Sequence, residues 1–156
     1  KNAEDICLNF PADDPEPQEM DALFAEALGE SPIEILRGTD DFLAVFETEQ
    51  QIQTMNPDFT KLAKINSRGV VISAPGNDVD FVSRCFFPQT GVDEDPVTGS
   101  AHTMLIPYWA KQLDKIEFKA HQLSARGGAL DCKLINNRVL ISGKSVIYFE
   151  GMISII

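Results

Sequence analysis

Between Glu94 and His102 the chain sets one carboxylate, Asp95, immediately ahead of Pro96-Val97 and a run of small residues, Thr98-Gly99-Ser100-Ala101. Pro96 drives Asp95 into extended backbone, so the chain enters this point as strand or loop. Thr98 is a suitable helix N-cap, and the small residues after it let a ligand approach the backbone closely. The first N–H groups of a helix opening at Gly99 lack partners inside the helix, and the helix dipole favours an anion there. The chemistry this allows is capture of a carboxylate with a working carboxylate at its lip. Asp95 is a catalytic candidate or simply a turn residue ahead of proline, Ser100 a catalytic candidate or only a first-turn helix residue, and Thr98, Gly99 and Ala101 a helix cap that is compatible with substrate binding.

The surrounding polar residues each have two readings. Glu94 is either a solvated or ion-paired neighbour of Asp95 or part of the site. Arg84 and Arg126 either pair with the Asp93-Glu94-Asp95 cluster or contact substrate. His102 falls on the helix and fits a satisfied core histidine, while His121 falls in a strand pattern and fits a structural or exposed role. Cys7, Cys85 and Cys132 are far apart, with no C-x-x-C spacing, and only two histidines are present. A zinc site is therefore not expected, and reduced thiols of a cytoplasmic protein are.

The elements that must position these groups follow from periodicity. Ile6 to Phe10 reads as a strand closed by Pro11, followed by an acidic, proline-rich loop from Ala12 to Gln18. Glu19 to Leu28 has helical spacing and stops at Gly29. Ile33 to Leu36 and Phe42 to Thr48 read as strands, and Asn56-Pro57 as the start of a helix reaching about Ile65. Val70 to Ala74 and Asp80 to Phe87 are strands around a Pro75-Gly-Asn-Asp turn. Gly99 to Leu113 is apolar on every face until Lys111, which predicts a helix buried on all sides and bent at Pro107. Glu117 to Ala125, Ala129 to Ile135, Arg138 to Ser142 and Ser145 to Ile156 complete a strand-rich C-terminal part. Many strands and one wholly apolar helix predict an α+β fold, a barrel-like sheet wrapped on a central helix.

Composition excludes some partners. A net charge of −11 argues against nucleic acid and anionic membranes. No apolar run approaches the roughly 20 residues of a membrane span. At 156 residues and 44% hydrophobic, one real core can form.

Glu94 through His102, followed by Pro107-Tyr108-Trp109, resembles the signature of the PhzF-like phenazine-biosynthesis family. Arg84 through Pro88 upstream and Leu123-Ser124-Ala125-Arg126-Gly127-Gly128 downstream agree with it, in order. The resemblance implies a diaminopimelate-epimerase-like fold of two α/β barrels with the site between them. Residues 1–156 are then the second barrel, with last strands that can belong to the first. It also implies cofactor-independent isomerisation by proton transfer on a small carboxylic acid, and the possibility of a homodimer. In the family a glutamate and a Gly-His motif from the first barrel take part, and neither has a counterpart in these residues. The expectation is half a site, Asp95, Ser100 and the helix N-terminus, that needs an N-terminal half. The alternative is a non-catalytic small-acid-binding or assembly domain.

Overall fold

A computed structural model describes residues 4–154. Ten strands form one sheet: β1 Glu4–Pro11, β2 Glu16–Pro17, β3 Glu34–Arg37, β4 Asp41–Val45, β5 Gly69–Pro75, β6 Phe81–Phe87, β7 Val92–Asp95, β8 Glu117–Gln122, β9 Gly128–Ile135 and β10 Arg138–Ser145. The hydrogen-bonded order is β1-β10-β9-β8-β6-β5-β4-β3-β2, with β7 branching from β6. β4/β5 and β6/β8 are parallel, and the other pairs are antiparallel.

The sheet does not close. β1 and β2 are its two edges, yet they are consecutive in the chain. The short link from Pro11 to Glu16 reaches at most about 17 Å when extended, so the ends of these two edge strands lie within that distance of each other. In place of the expected barrel-like closure the sheet is open, and residues 12–15 link its two edge strands.

Helix α4, Gly99–Leu113, packs on one face of the sheet. Ala101, His102 and Met104 through Trp109 are all buried, as an all-round apolar helix requires. Side chains from seven strands pack on it, including Leu43, Val71, Phe81, Phe118, Cys132 and Ile141. Trp109 stacks on Phe81 (centroids 5.6 Å apart) and its indole N–H donates to Ser73 Oγ at 3.0 Å. Pro107 has no N–H for the carbonyl of Thr103 one turn earlier. That carbonyl instead accepts the backbone N–H of Asp13, at 2.9 Å, from the link between β1 and β2.

A second core lies on the outer face of β3 to β6, under helices α1 (Ala22–Leu28), α2 (Glu49–Thr54) and α3 (Phe59–Leu62). β5 is therefore buried on both faces, whereas β8 buries alternate residues only and shows Glu117, Lys119 and His121 to water.

Several boundaries differ from expectation. The strand from Phe42 stops at Val45, because Thr48 and Gln51 form a capping box that starts α2. The expected helix at Asn56-Pro57 begins later, capped by the Asp58 carboxylate on Lys61 N–H, and spans only one turn. The loop after Pro11 contains the two-residue β2, and proline fits there because β2 is an edge. The expected strand from Ser145 onward does not form: residues 146–154 carry no regular structure, and residues 155–156 lie outside the described range.

Candidate functional site

β7 ends at Asp95, and the turn Asp95-Pro96-Val97-Thr98 delivers the chain into α4. Thr98 is the N-cap residue with extended backbone, as expected, but its side chain does not cap the helix. The hydroxyl donates to Asp95 Oδ2 instead. The first turn of α4 therefore has N–H groups without a side-chain cap, beside a carboxylate whose Oδ1 has no partner among the described residues.

Gln122, the last residue of β8 and fully buried, organises this turn. Its Nε2 donates to the Asp95 carbonyl at 2.7 Å and to Thr98 Oγ1 at 3.2 Å, while its Oε1 accepts from Thr98 N–H at 2.8 Å. Ser124 Oγ donates to the Pro96 carbonyl at 2.7 Å and accepts from Gly127 N–H at 3.0 Å. Gly127 has φ +71°, and a Cβ on Gly128 would fall 2.3 Å from a Val97 methyl. The Ser124–Gly128 turn and the Asp95–Thr98 turn are one packed unit, which explains why both segments carry the recognisable residues.

Other candidates separate clearly. Gly99 faces open space, since a Cβ there would meet nothing within 4 Å. Ser100 is exposed, whereas Thr98 and Ala101 are buried, so Ala101 can offer a ligand only its backbone N–H. Arg84 is not free for substrate: it makes a two-pronged pair with Glu94 at 2.7 and 3.0 Å and donates to the Ile52 and Met55 carbonyls. This resolves Glu94 as well, as an ion-paired neighbour of Asp95. Arg126 is exposed in the β8–β9 turn and makes no ion pair with the acidic cluster among the described residues.

His102 is fully buried, and its Nδ1 lies 2.8 Å from the Thr98 carbonyl, which can only accept. Nδ1 therefore carries the proton, leaving Nε2 buried without a hydrogen-bond partner among the described residues. Burial pushes its pKa down to about 4, against the smaller raising effect of the Thr98 bond, so the ring is neutral. It is a core histidine.

Two site residues were not anticipated. Gln122 carries no motif of its own, and only its fixed distance from the Ser124-to-Gly128 stretch could have pointed to it. Arg68, in the loop before β5, donates through Nη2 to Ser100 Oγ at 3.2 Å. Its Nε also donates to Asp41 Oδ1 at 2.9 Å, and its Nη2 to Asp41 Oδ2. The Asp41 bond raises the Arg68 pKa further above its ordinary range, so its charge is permanent. Among the described residues no three His, Cys, Asp or Glu side chains converge as metal ligands would. No described helix is long and apolar enough to cross a membrane.

A family model described as phenazine biosynthesis-like protein, PhzC-PhzF, matches residues 2–151. The chain belongs to this family. A Pseudomonas aeruginosa protein named as an uncharacterized isomerase is 47% identical over 154 residues, covering 97% of this chain and 59% of its own length. A second protein of that organism, similarly named, is 45% identical over 97% of this chain and 58% of its own length. The crystal structure of an Enterococcus faecalis PhzF-family protein superposes with a TM-score of 0.86 at 38% identity, over 94% of this chain and 60% of that one. The chain spans about three fifths of the length of these curated relatives. The chain thus shares with this PhzF-family structure an α+β fold that is mostly sheet with few helices.

Proposed function

We propose that this chain supplies one side of the site of a PhzF-like isomerase or epimerase that moves a proton on a small carboxylic acid. The observation that carries the reading is the uncapped, open first turn of α4 beside Asp95, with Thr98 bonded to the carboxylate rather than to the helix. The Gly99, Ser100 and Ala101 N–H groups hold the substrate carboxylate, with the helix dipole favouring its charge. Asp95 Oδ1 then faces the substrate and handles a proton, and the Ser100 hydroxyl orients the acid. The isomerase names of the relatives support the reaction class. A general acid or base typically contributes 10²–10⁴-fold. With Glu94 tied to Arg84 and His102 buried, Asp95 is the group in this turn free to serve.

The rest of the site, a base included, comes in this reading from an N-terminal half. Ile6, Leu8 and Phe10 of β1 and the apolar residues from Val146 to Ile153 are exposed and suit a covered surface. Near the motif Val92 is likewise exposed.

A second reading, a small-acid-binding domain without catalysis, draws on the lack of a second proton-handling group beside Asp95. The test is exchange of substrate C–H protons for deuterium across a panel of small carboxylic acids. It is run with this chain alone and again with a first-barrel polypeptide of the family. Exchange only in the combination, lost on Asp95→Asn, is the expected result. Binding of acids without exchange in either setting would favour the second reading.

A further inference from the structure

We infer that Gln122 is a positioning residue for the anion-binding turn, acting through the Thr98 hydroxyl; this rests on the anion-site reading above. The carboxamide has no freedom to flip. The Asp95 carbonyl can only accept and the Thr98 N–H can only donate, so Nε2 must face the first and Oε1 the second. With Nε2 also directed at Thr98 Oγ1, 3.2 Å away, the hydroxyl has its acceptor side engaged. Its own proton is then sent to Asp95 Oδ2. The relay runs one way, from Gln122 Nε2–H to Thr98 O–H to Asp95.

Three consequences follow for the site. The Thr98 hydroxyl is held away from the helix it would otherwise cap, so the Ser100 and Ala101 N–H groups stay available. One Asp95 oxygen is occupied, which fixes the carboxylate's rotation and presents the other. The Thr98 N–H, which would compete for the same anion, is removed by Oε1. Gln122 does this from a position with no solvent exposure, so it touches no ligand itself.

A merely structural glutamine would hold the turn as Ser124 does, through its bond to the Pro96 carbonyl. The test separates these roles. Acetate and inorganic phosphate are titrated separately into the protein in the full length its gene encodes, following the backbone amides of Gly99, Ser100 and Ala101 by ¹⁵N NMR. Thermal melting is recorded in parallel. The variants are Gln122→Glu, which keeps shape but cannot donate as a carboxylate, Gln122→Met, Thr98→Val, Thr98→Ser and Ser124→Ala.

Wild type is expected to bind saturably, with affinity at least about tenfold weaker in both Gln122 variants and in Thr98→Val, the size expected when a hydrogen bond is lost. Thr98→Ser, which keeps the hydroxyl, is expected to stay within about threefold of wild type, as is Ser124→Ala despite a lower melting temperature. If the Gln122 variants do not fold, the contrast between Thr98→Val and Thr98→Ser decides. Equal weakening by Ser124→Ala and the Gln122 variants, or no difference between the two Thr98 variants, would overturn the positioning role while leaving the anion site standing. Absence of binding by wild type would overturn both.

Discussion

The Arg68 guanidinium lies 3.2 Å from the Ser100 hydroxyl oxygen and donates to it, while Asp41 holds the same guanidinium from behind. Because Arg68 has no acceptor, the Ser100 proton is left for an outside partner. Ser100→Ala should change stability by no more than about 0.5 kcal/mol, as an exposed position, yet weaken anion binding about three- to tenfold. Arg68→Met should weaken binding similarly. It should also destabilise by about 1–3 kcal/mol, since Asp41 is buried and loses its partner, while the solvent reach of Arg68 limits the cost. Chemical denaturation and the acetate titration measure the two effects separately.

Gly99 offers a contrary pair of effects. Its backbone is helical and a Cβ would meet nothing, so Gly99→Ala should stabilise the protein, by about 0.3–1 kcal/mol. The added methyl would stand where a ligand approaches the first turn. A gain in melting temperature accompanied by weaker acetate binding is the expected outcome, and unchanged binding would place the ligand elsewhere.

His102 makes stability fall in mild acid. Its native pKa is about 4, below the unfolded value near 6.5, so on acidification the unfolded chain takes up the proton first. Stability is full above about pH 6.5 and falls progressively towards pH 4, by on the order of 3 kcal/mol. His102→Asn keeps a donor for the Thr98 carbonyl and cannot titrate. Urea midpoints between pH 7 and 4.5 should therefore fall less in the variant, on top of the slope that carboxylates give to both proteins.

Trp109 carries both packing and a hydrogen bond. Trp109→Ala should cost about 3–5 kcal/mol and unfold a domain of ordinary stability. Trp109→Phe keeps the stack on Phe81 but leaves the Ser73 hydroxyl without its indole donor, at about 1–2 kcal/mol. Near-equal midpoints for the two variants would mean that stacking contributes little.

The three cysteines should differ sharply in reactivity. Burial pushes the Cys132 thiol up to about 12 and Cys85 higher still, whereas Cys7 is exposed on β1. In the native state a thiol reagent should modify Cys7 quickly. Cys85 and Cys132 should react only in denaturant, as mass spectrometry of the modified peptides would show.

Much of this fold was legible where one residue type forces one structure. An apolar helix with no polar face had to be buried, and Gly29 and Pro11 ended their elements as their backbones require. Asp95-Pro96 and the small residues after Thr98 announced the turn and its open first helical turn. Other features depended on partners far along the chain. Thr98 abandons the helix because Gln122 and Asp95 compete for its hydroxyl, and that competition is set by β8 lying beside β6. Arg68 sits in a loop without periodicity, and nothing local ties it to Ser100. Alternation after Ser145 suggested a strand, yet residues 146–154 take no regular structure, and strand pairing is set by distant parts of the chain rather than by local pattern.

The crossing segment at residues 12–15 completes two unfinished structures together. Asp13 N–H fills the ladder position that Pro107 leaves vacant in α4, and the same few residues carry the chain from edge strand β1 to edge strand β2. The helix interior is thus sewn to the link between the sheet's edge strands by a contact of very large sequence separation. Helix α4 can coil early from local contacts, but its backbone is satisfied only when the N-terminal strand arrives. Loop-closure entropy makes that arrival slow. Amide protection in the middle of α4 should therefore appear at the same moment as protection in β1, making arrival of β1 and completion of the helix one kinetic event.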